Sequence, residues 1–150
     1  MAPSSRHPAY PGHARFLPYL LNRATDRLNL GFQGELRRRR MTLTHWRVLA
    51  FLTETDGLGV STLAERTDTD QSTLSRALQQ MERRGQVERR ARTGDSRYVE
   101  IHLTASGRAL FNQMLPDALD YERNALANLS PAEKDALRSL LLRLLEPAKS

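Results

Sequence analysis

The chain has 150 residues, 39% hydrophobic and 27% charged, which is the length of one ordinary domain and the balance of a water-soluble folded protein. Its 23 Lys and Arg against 17 Asp and Glu give a formal net charge of +6, so the surface field attracts polyanions and points to nucleic acid as a partner. Cysteine is absent, which excludes disulfide frameworks, cysteine-ligated zinc and thiol-based sensing; no apolar run approaches the roughly 18 residues of a membrane span.

Residues 1–14 carry Pro3, Pro8 and Pro11 where a signal peptide would have its apolar core, and read as a flexible tail on a cytoplasmic protein with no membrane partner. From Arg15, the residues Leu17, Leu21, Ala24 and Leu28 recur at three- and four-residue steps, predicting a helix to about Leu36 with Pro18 tolerated in its first turn. Four arginines, Arg37 to Arg40, follow where a helix C-terminus favours cations. A second helix begins at Thr42 or Thr44 and is apolar almost all round from Val48 to Leu52, the pattern of a helix buried on several sides.

After Asp56-Gly57 come two short helices in quick succession, Val60 to Thr67 and Gln71 to Arg84, the second capped by Thr69 or Asp70. In the second, Leu74, Leu78 and Met81 commit one face to a core and leave Gln71, Ser72, Thr73, Ser75, Arg76, Gln79 and Gln80 on the other. Gly85 suits a left-handed cap. Residues 87–92 and 97–103 then flank Thr93-Gly94-Asp95-Ser96, with Val99, Ile101 and Leu103 alternating, the pattern of a two-stranded hairpin. Thr104 caps a long helix with a bend expected at Pro116. Ser130-Pro131-Ala132-Glu133 is a capping box opening a leucine-rich last helix through Leu137, Leu140, Leu141, Leu144 and Leu145.

Helix, short turn, helix and hairpin in that order make a winged helix-turn-helix, so the expected fold class is mainly α with a small β-hairpin wing (α+β). The boundaries expected are a DNA-binding region at 41–103 and dimerisation helices at 15–40 and 104–150. Small hydroxyls and amides let a helix approach base edges closely: Gln71 suits adenine, Arg76 suits guanine O6 and N7, and Ser72, Thr73 and Ser75 suit bases or phosphates. At the hairpin tip, Arg97 is placed to enter a minor groove with Asp95 aiming it. From Arg83 to Arg97 six arginines, Arg83 and Arg92 among them, accompany two acids, biasing the segment toward phosphate. The candidate DNA-binding residues are therefore Gln71, Ser72, Thr73, Ser75, Arg76, Arg83, Arg92, Asp95 and Arg97.

The ordered set Leu43 to Leu49, Leu63-Ala64-Glu65-Arg66, Ser72 to Arg76, Met81 to Arg89, Asp95-Ser96-Arg97 and Leu103 to Gly107 resembles the MarR family of bacterial transcriptional regulators over nearly the whole chain. The resemblance implies a homodimer built from the first and last two helices, a pseudo-palindromic double-stranded DNA operator, and a cleft for small aromatic acids or phenols that weaken DNA binding. The expected function is thus a ligand-released repressor, not an enzyme. Arg15, Tyr19, His45 and Leu49 are the candidate effector residues. The four histidines lack a metal-binding spacing, so no metal or cofactor is expected. A constitutive architectural DNA-binding protein and a metal-responsive regulator remain as alternatives.

Overall fold

The computed structural model describes residues 8–147. The first part of the expected tail, residues 1–7, lies outside the described residues. After an irregular stretch and a single 3-10 turn at His13–Arg15, six helices and three strands follow in the order α1 (Leu17–Arg37), α2 (Leu43–Glu54), β1 (Leu58–Gly59), α3 (Val60–Thr67), α4 (Gln71–Arg83), β2 (Val87–Arg92), β3 (Asp95–Leu103), α5 (Ala105–Ala125) and α6 (Pro131–Leu145).

Side-chain caps fix most helix starts. Thr42 opens α2 with a reciprocal box: its hydroxyl accepts from the His45 backbone N–H, while His45 Nδ1 accepts from the Thr42 N–H at 3.1 Å. A histidine thus fills the place where the sequence pattern would have offered Glu or Gln. Asp70 caps α4, Thr104 caps α5 and Ser130 with Glu133 caps α6. The Ser130 contacts hold the Glu133 carboxyl below its ordinary range. Pro116 is contained within α5, which stays one element from Ala105 to Ala125.

The sheet has the order β1-β3-β2, all antiparallel. The sequence reading held two strands; the third, β1, pairs Leu58 with Ile101 and Gly59 with Glu100. Two residues, one of them glycine, carry no alternation to detect. The hairpin closes at Thr93-Gly94, Gly94 in the left-handed region at φ 89°, and the register shifts between Ala91 and Arg92. That irregularity turns the tip away from the regular ladder.

The core lies where α2, α3, α4 and the base of the hairpin meet: Val48, Leu49, Leu52, Leu63, Leu74, Leu78, Met81 and Ile101 are fully or almost fully buried. Leu36 from α1 and Met114 from α5 join this cluster, so α1 is anchored to it at its C-terminal end and α5 near its middle. Two polar bolts hold α4 in place. The Arg84 guanidinium donates to the Arg40 carbonyl at 2.9 Å, with Arg40 itself left-handed at φ 53°. Beyond the Gly85 turn, the Thr104 N–H donates to the Gln86 carbonyl and the Thr104 hydroxyl to the Gly85 carbonyl, at 3.1 and 2.6 Å. The start of α5 is therefore fastened to the end of α4.

Helix α6 behaves differently: it buries no residue, and Leu137, Leu140, Leu141, Leu142, Leu144 and Leu145 all stand exposed. Among the described residues no helix is long and apolar enough to cross a membrane.

Candidate nucleic-acid interface and aromatic cleft

Helix α4 presents the polar face that its sequence dictates. Leu74, Ala77, Leu78 and Met81 are buried, while Gln71, Ser72, Arg76, Gln79 and Gln80 are exposed and Thr73 and Ser75 are half-buried. The cap adds a feature the sequence reading passed over. Asp70 accepts three hydrogen bonds: from the Thr73 N–H at 2.8 Å, the Thr73 hydroxyl at 2.6 Å and the Ser72 hydroxyl at 2.7 Å. These bonds, with Arg76 adding a smaller charge effect, hold the Asp70 carboxyl well below the usual carboxylate range. The Ser72 and Thr73 hydroxyl protons are thus engaged within the helix start. Gln71 and Arg76 are the exposed groups of the first two turns with no side-chain hydrogen bond among the described residues.

On the wing, Asp95 grips Arg97 at three points. Oδ1 accepts from the Arg97 backbone N–H at 3.1 Å and from Nε at 2.9 Å, and Oδ2 accepts from Nη2 at 2.8 Å. The pairing lowers the Asp95 carboxyl and raises the Arg97 guanidinium from their ordinary values. Arg97 nevertheless remains 83% exposed in its side chain, so the fork fixes its direction without hiding its charge.

The arginine-rich segment is less free than its charge count implies. Arg89 pairs with Glu82, Arg90 with Glu88 and Arg92 with Glu100. Arg83 has neither an ion pair nor a side-chain hydrogen bond among the described residues. Two of these acids, Glu82 and Glu100, lie outside the two counted in the segment; folding brings them to it. Arg92 and Arg97 line one groove together with Ser61 and Thr62 from the start of α3.

The effector residues expected from sequence are not brought together. Leu49 is fully buried in the core, and His45 is 2% exposed, spent on the α2 cap. Burial, and then the positive charge of Arg84, push the His45 imidazole below its ordinary value; the Gln80 side chain acts in the opposite direction. Arg15 ends the 3-10 turn and Tyr19 lies in the first turn of α1, where its ring packs against His13 at 5.0 Å. The seam between α1, α2 and α5 instead holds an open cleft of about 390 Å³, lined by none of these four residues.

The cleft is built from aromatic side chains that the sequence reading did not single out. Phe32 meets Trp46 edge to face at 5.6 Å and Tyr121 at 5.2 Å, and Trp46 stacks on Phe111 at 5.2 Å. Tyr121 is locked across the seam by donating its hydroxyl to the Leu28 carbonyl at 2.6 Å, close beside Gly31, where a Cβ would stand 2.5 Å from that oxygen. Aromatics are scarce, at 6% of the chain; four of them converging from three helices was the available signal, but only the tertiary fold reveals it.

Comparison with known proteins agrees with this geometry. The MarR family signature matches residues 41–97. The HTH-type transcriptional regulator PecS of Dickeya dadantii is 40% identical over 73 residues, 49% of this chain and 44% of that relative, so the chain spans about half the length of this curated relative. A MarR family transcriptional regulator from Silicibacter pomeroyi superposes with TM-score 0.82 at 30% identity, over 96% of this chain and 97% of that one. Bordetella bronchiseptica BpsR, a structure described in terms of regulation of DNA binding by 6-hydroxynicotinic acid, superposes with TM-score 0.82 at 26% identity over 94% and 99%. A winged helix-turn-helix carrying this signature, similar over almost its full length to a solved member, belongs to the MarR family of transcriptional regulators.

Proposed function

We propose that the chain is a sequence-reading regulator of double-stranded DNA, a dimeric repressor released from a pseudo-palindromic operator by a small aromatic ligand. The observation that carries the DNA reading is Arg97, exposed yet aimed by the three hydrogen bonds it donates to Asp95, on a wing that follows a helix α4 with a free polar face. A guanidinium pre-set in this way enters a narrow minor groove with little rotamer entropy left to lose. Gln71 and Arg76 supply the donors and acceptors that distinguish base edges in the major groove, while Ser72 and Thr73 exchange their bonds to Asp70 for bases or phosphates. Arg83 and Arg92 serve as phosphate contacts, Arg92 after leaving Glu100.

The dimer reading rests on α6, which buries none of its leucines against the described residues. Two copies double the contacts and place them on half-sites about one helical turn, roughly 34 to 36 Å, apart. Repression needs only occupancy of the site. The ligand reading is supported by the aromatic cleft at the seam between α5 and the DNA-binding core, and by the ligand-regulated DNA binding described for BpsR.

The test is a gel-shift comparison of DNA upstream of the chain's own coding region with scrambled DNA of the same length. Preferential retention of the former is expected; equal affinity returns the protein to an architectural role. On the preferred site, Arg76→Ala should relax base preference at one position by about 1–3 kcal/mol. A uniform loss across all sequences instead makes Arg76 a phosphate contact.

A further inference from the structure

Asp70 stands at the leading end of α4, the end that a recognition helix turns toward base edges, so its role rests on the DNA-reading function proposed above. Its carboxylate is anchored: Oδ1 accepts from the Thr73 N–H and the Ser72 hydroxyl, and Oδ2 from the Thr73 hydroxyl alone. An ionised carboxylate has about four acceptor sites, so Oδ2 keeps one free among the described residues. Ser72 is exposed on the free face of α4, and the charge of Arg76, one turn further on, reaches the carboxylate. Asp70 is therefore drawn toward the face that carries Gln71 and Arg76. The hydrogen bonds from Ser72 and Thr73, with the positive end of the helix dipole, keep the group ionised. It has no proton to offer a guanine O6 or N7, a thymine O4 or a phosphate oxygen. Ser72 and Thr73 can turn their protons to DNA, and each that does so leaves Asp70 with one more free acceptor site. Glu65 and Asp68 line the same hollow as Asp70 at the α3–α4 turn, so a phosphate seated there would meet three carboxylates. A base edge that presents a donor is the partner this chemistry fits.

We infer that Asp70 is a specificity-determining residue that selects cytosine at one position of each half-site, by accepting from its N4 amino group, and rejects guanine and thymine there. Cytosine suits a carboxylate better than adenine does, because adenine sets the N7 lone pair beside its N6 amino group, whereas cytosine sets a C–H there. Arg76 has the opposite charge and reads acceptors, so the two residues discriminate at different positions.

Selection of binding sites from a library of randomised duplexes, by the full-length protein and in parallel by Asp70→Asn and Asp70→Ser, tests the assignment. Asn and Ser both serve as N-caps, so α4 keeps its start, which unchanged far-ultraviolet circular dichroism verifies. The wild-type sites should carry one position per half-site where cytosine is preferred over guanine or thymine by about tenfold. Both variants should reduce that preference to about twofold and leave the position relaxed by Arg76→Ala as it was. On the selected site, a cytosine analogue lacking the N4 amino group should weaken wild-type binding by about tenfold and Asp70→Ser binding by less than about twofold. Unchanged base preferences in both variants, or a uniform rise in affinity for all sequences, overturns the assignment and leaves Asp70 a cap alone. A wild-type protein that enriches no sequence overturns the DNA reading and the role of Asp70 with it, so the two failures are told apart.

Discussion

Arg97 and Asp95 form a unit in which one residue holds the charge and the other its direction, so the two substitutions have different consequences. Arg97→Ala removes the cation and should lower DNA affinity by about tenfold or more, with the oligomeric state unchanged. Asp95→Asn keeps the cation but releases its fork, so the expected loss is smaller and reflects aim alone. Fluorescence anisotropy on the preferred DNA site measures both; unchanged binding by Arg97→Ala would mean that the wing stays outside the groove.

His45 gives a second expectation at this scale. Its imidazole is buried, with Nε2 lacking a well-formed hydrogen bond and Nδ1 accepting from the Thr42 N–H, and its folded value lies below the ordinary 6.5. The unfolded chain therefore binds a proton at a higher pH than the folded one. Stability should be full above about pH 6.5 and decline as pH falls from there toward the lowered folded value. Asp70 titrates far below this window. Urea denaturation across the window should show the decline, and His45→Gln should flatten it; an equal slope in the variant would assign the proton to another group. That His45 is a core and capping residue was not legible in the sequence, where a histidine beside Trp46 read equally well as a ligand contact. Two of the groups that act on its imidazole, Arg84 and Gln80, come from the far end of α4.

At the scale of elements, legibility followed periodicity and caps. The first four helices, and the starts of the last two, were placed within about two residues, because buried faces and capping side chains are local signals; the end of α5 at Ala125 carried no such signal. Strand β1 escaped because its pairing with β3 is set by the partner and not by its own two residues. The ion pairs Arg92–Glu100 and Arg89–Glu82 escaped for the same reason: strand register and packing create them. Gly107 is a position where such non-local packing decides. A Cβ there would run into the Gln86 carbonyl and come within 2.8 Å of Leu103 Cδ1. Since Gln86 is the residue that fastens α5 to the turn after α4, Gly107→Ala should destabilise the fold by about 1–3 kcal/mol. Chemical denaturation monitored by circular dichroism would detect it, and an unchanged midpoint would show that the turn shifts freely.

At the scale of the whole molecule, α6 links stability, assembly and DNA affinity. A helix of 15 residues that buries no side chain against the described residues is marginal in water, and its leucines at 137, 141 and 144 repeat at the spacing of a packed helix face. In the proposed dimer this face is covered by a second copy, so the double substitution Leu137→Asp and Leu141→Asp should yield a monomer in sedimentation equilibrium. The charge change is four units in the dimer, and most of the expected loss of DNA affinity comes from the missing partner. Salt dependence separates the two effects. Binding through phosphates releases counterions, and the slope of log affinity against log salt counts the phosphates neutralised. A dimer on two half-sites should show a steep slope, and the monomeric variant about half of it, because one copy of the arginine set is absent. A variant that remains dimeric would move the interface away from α6, while a monomer retaining the full slope would mean that one winged domain makes all the phosphate contacts and the second copy is not needed on the DNA.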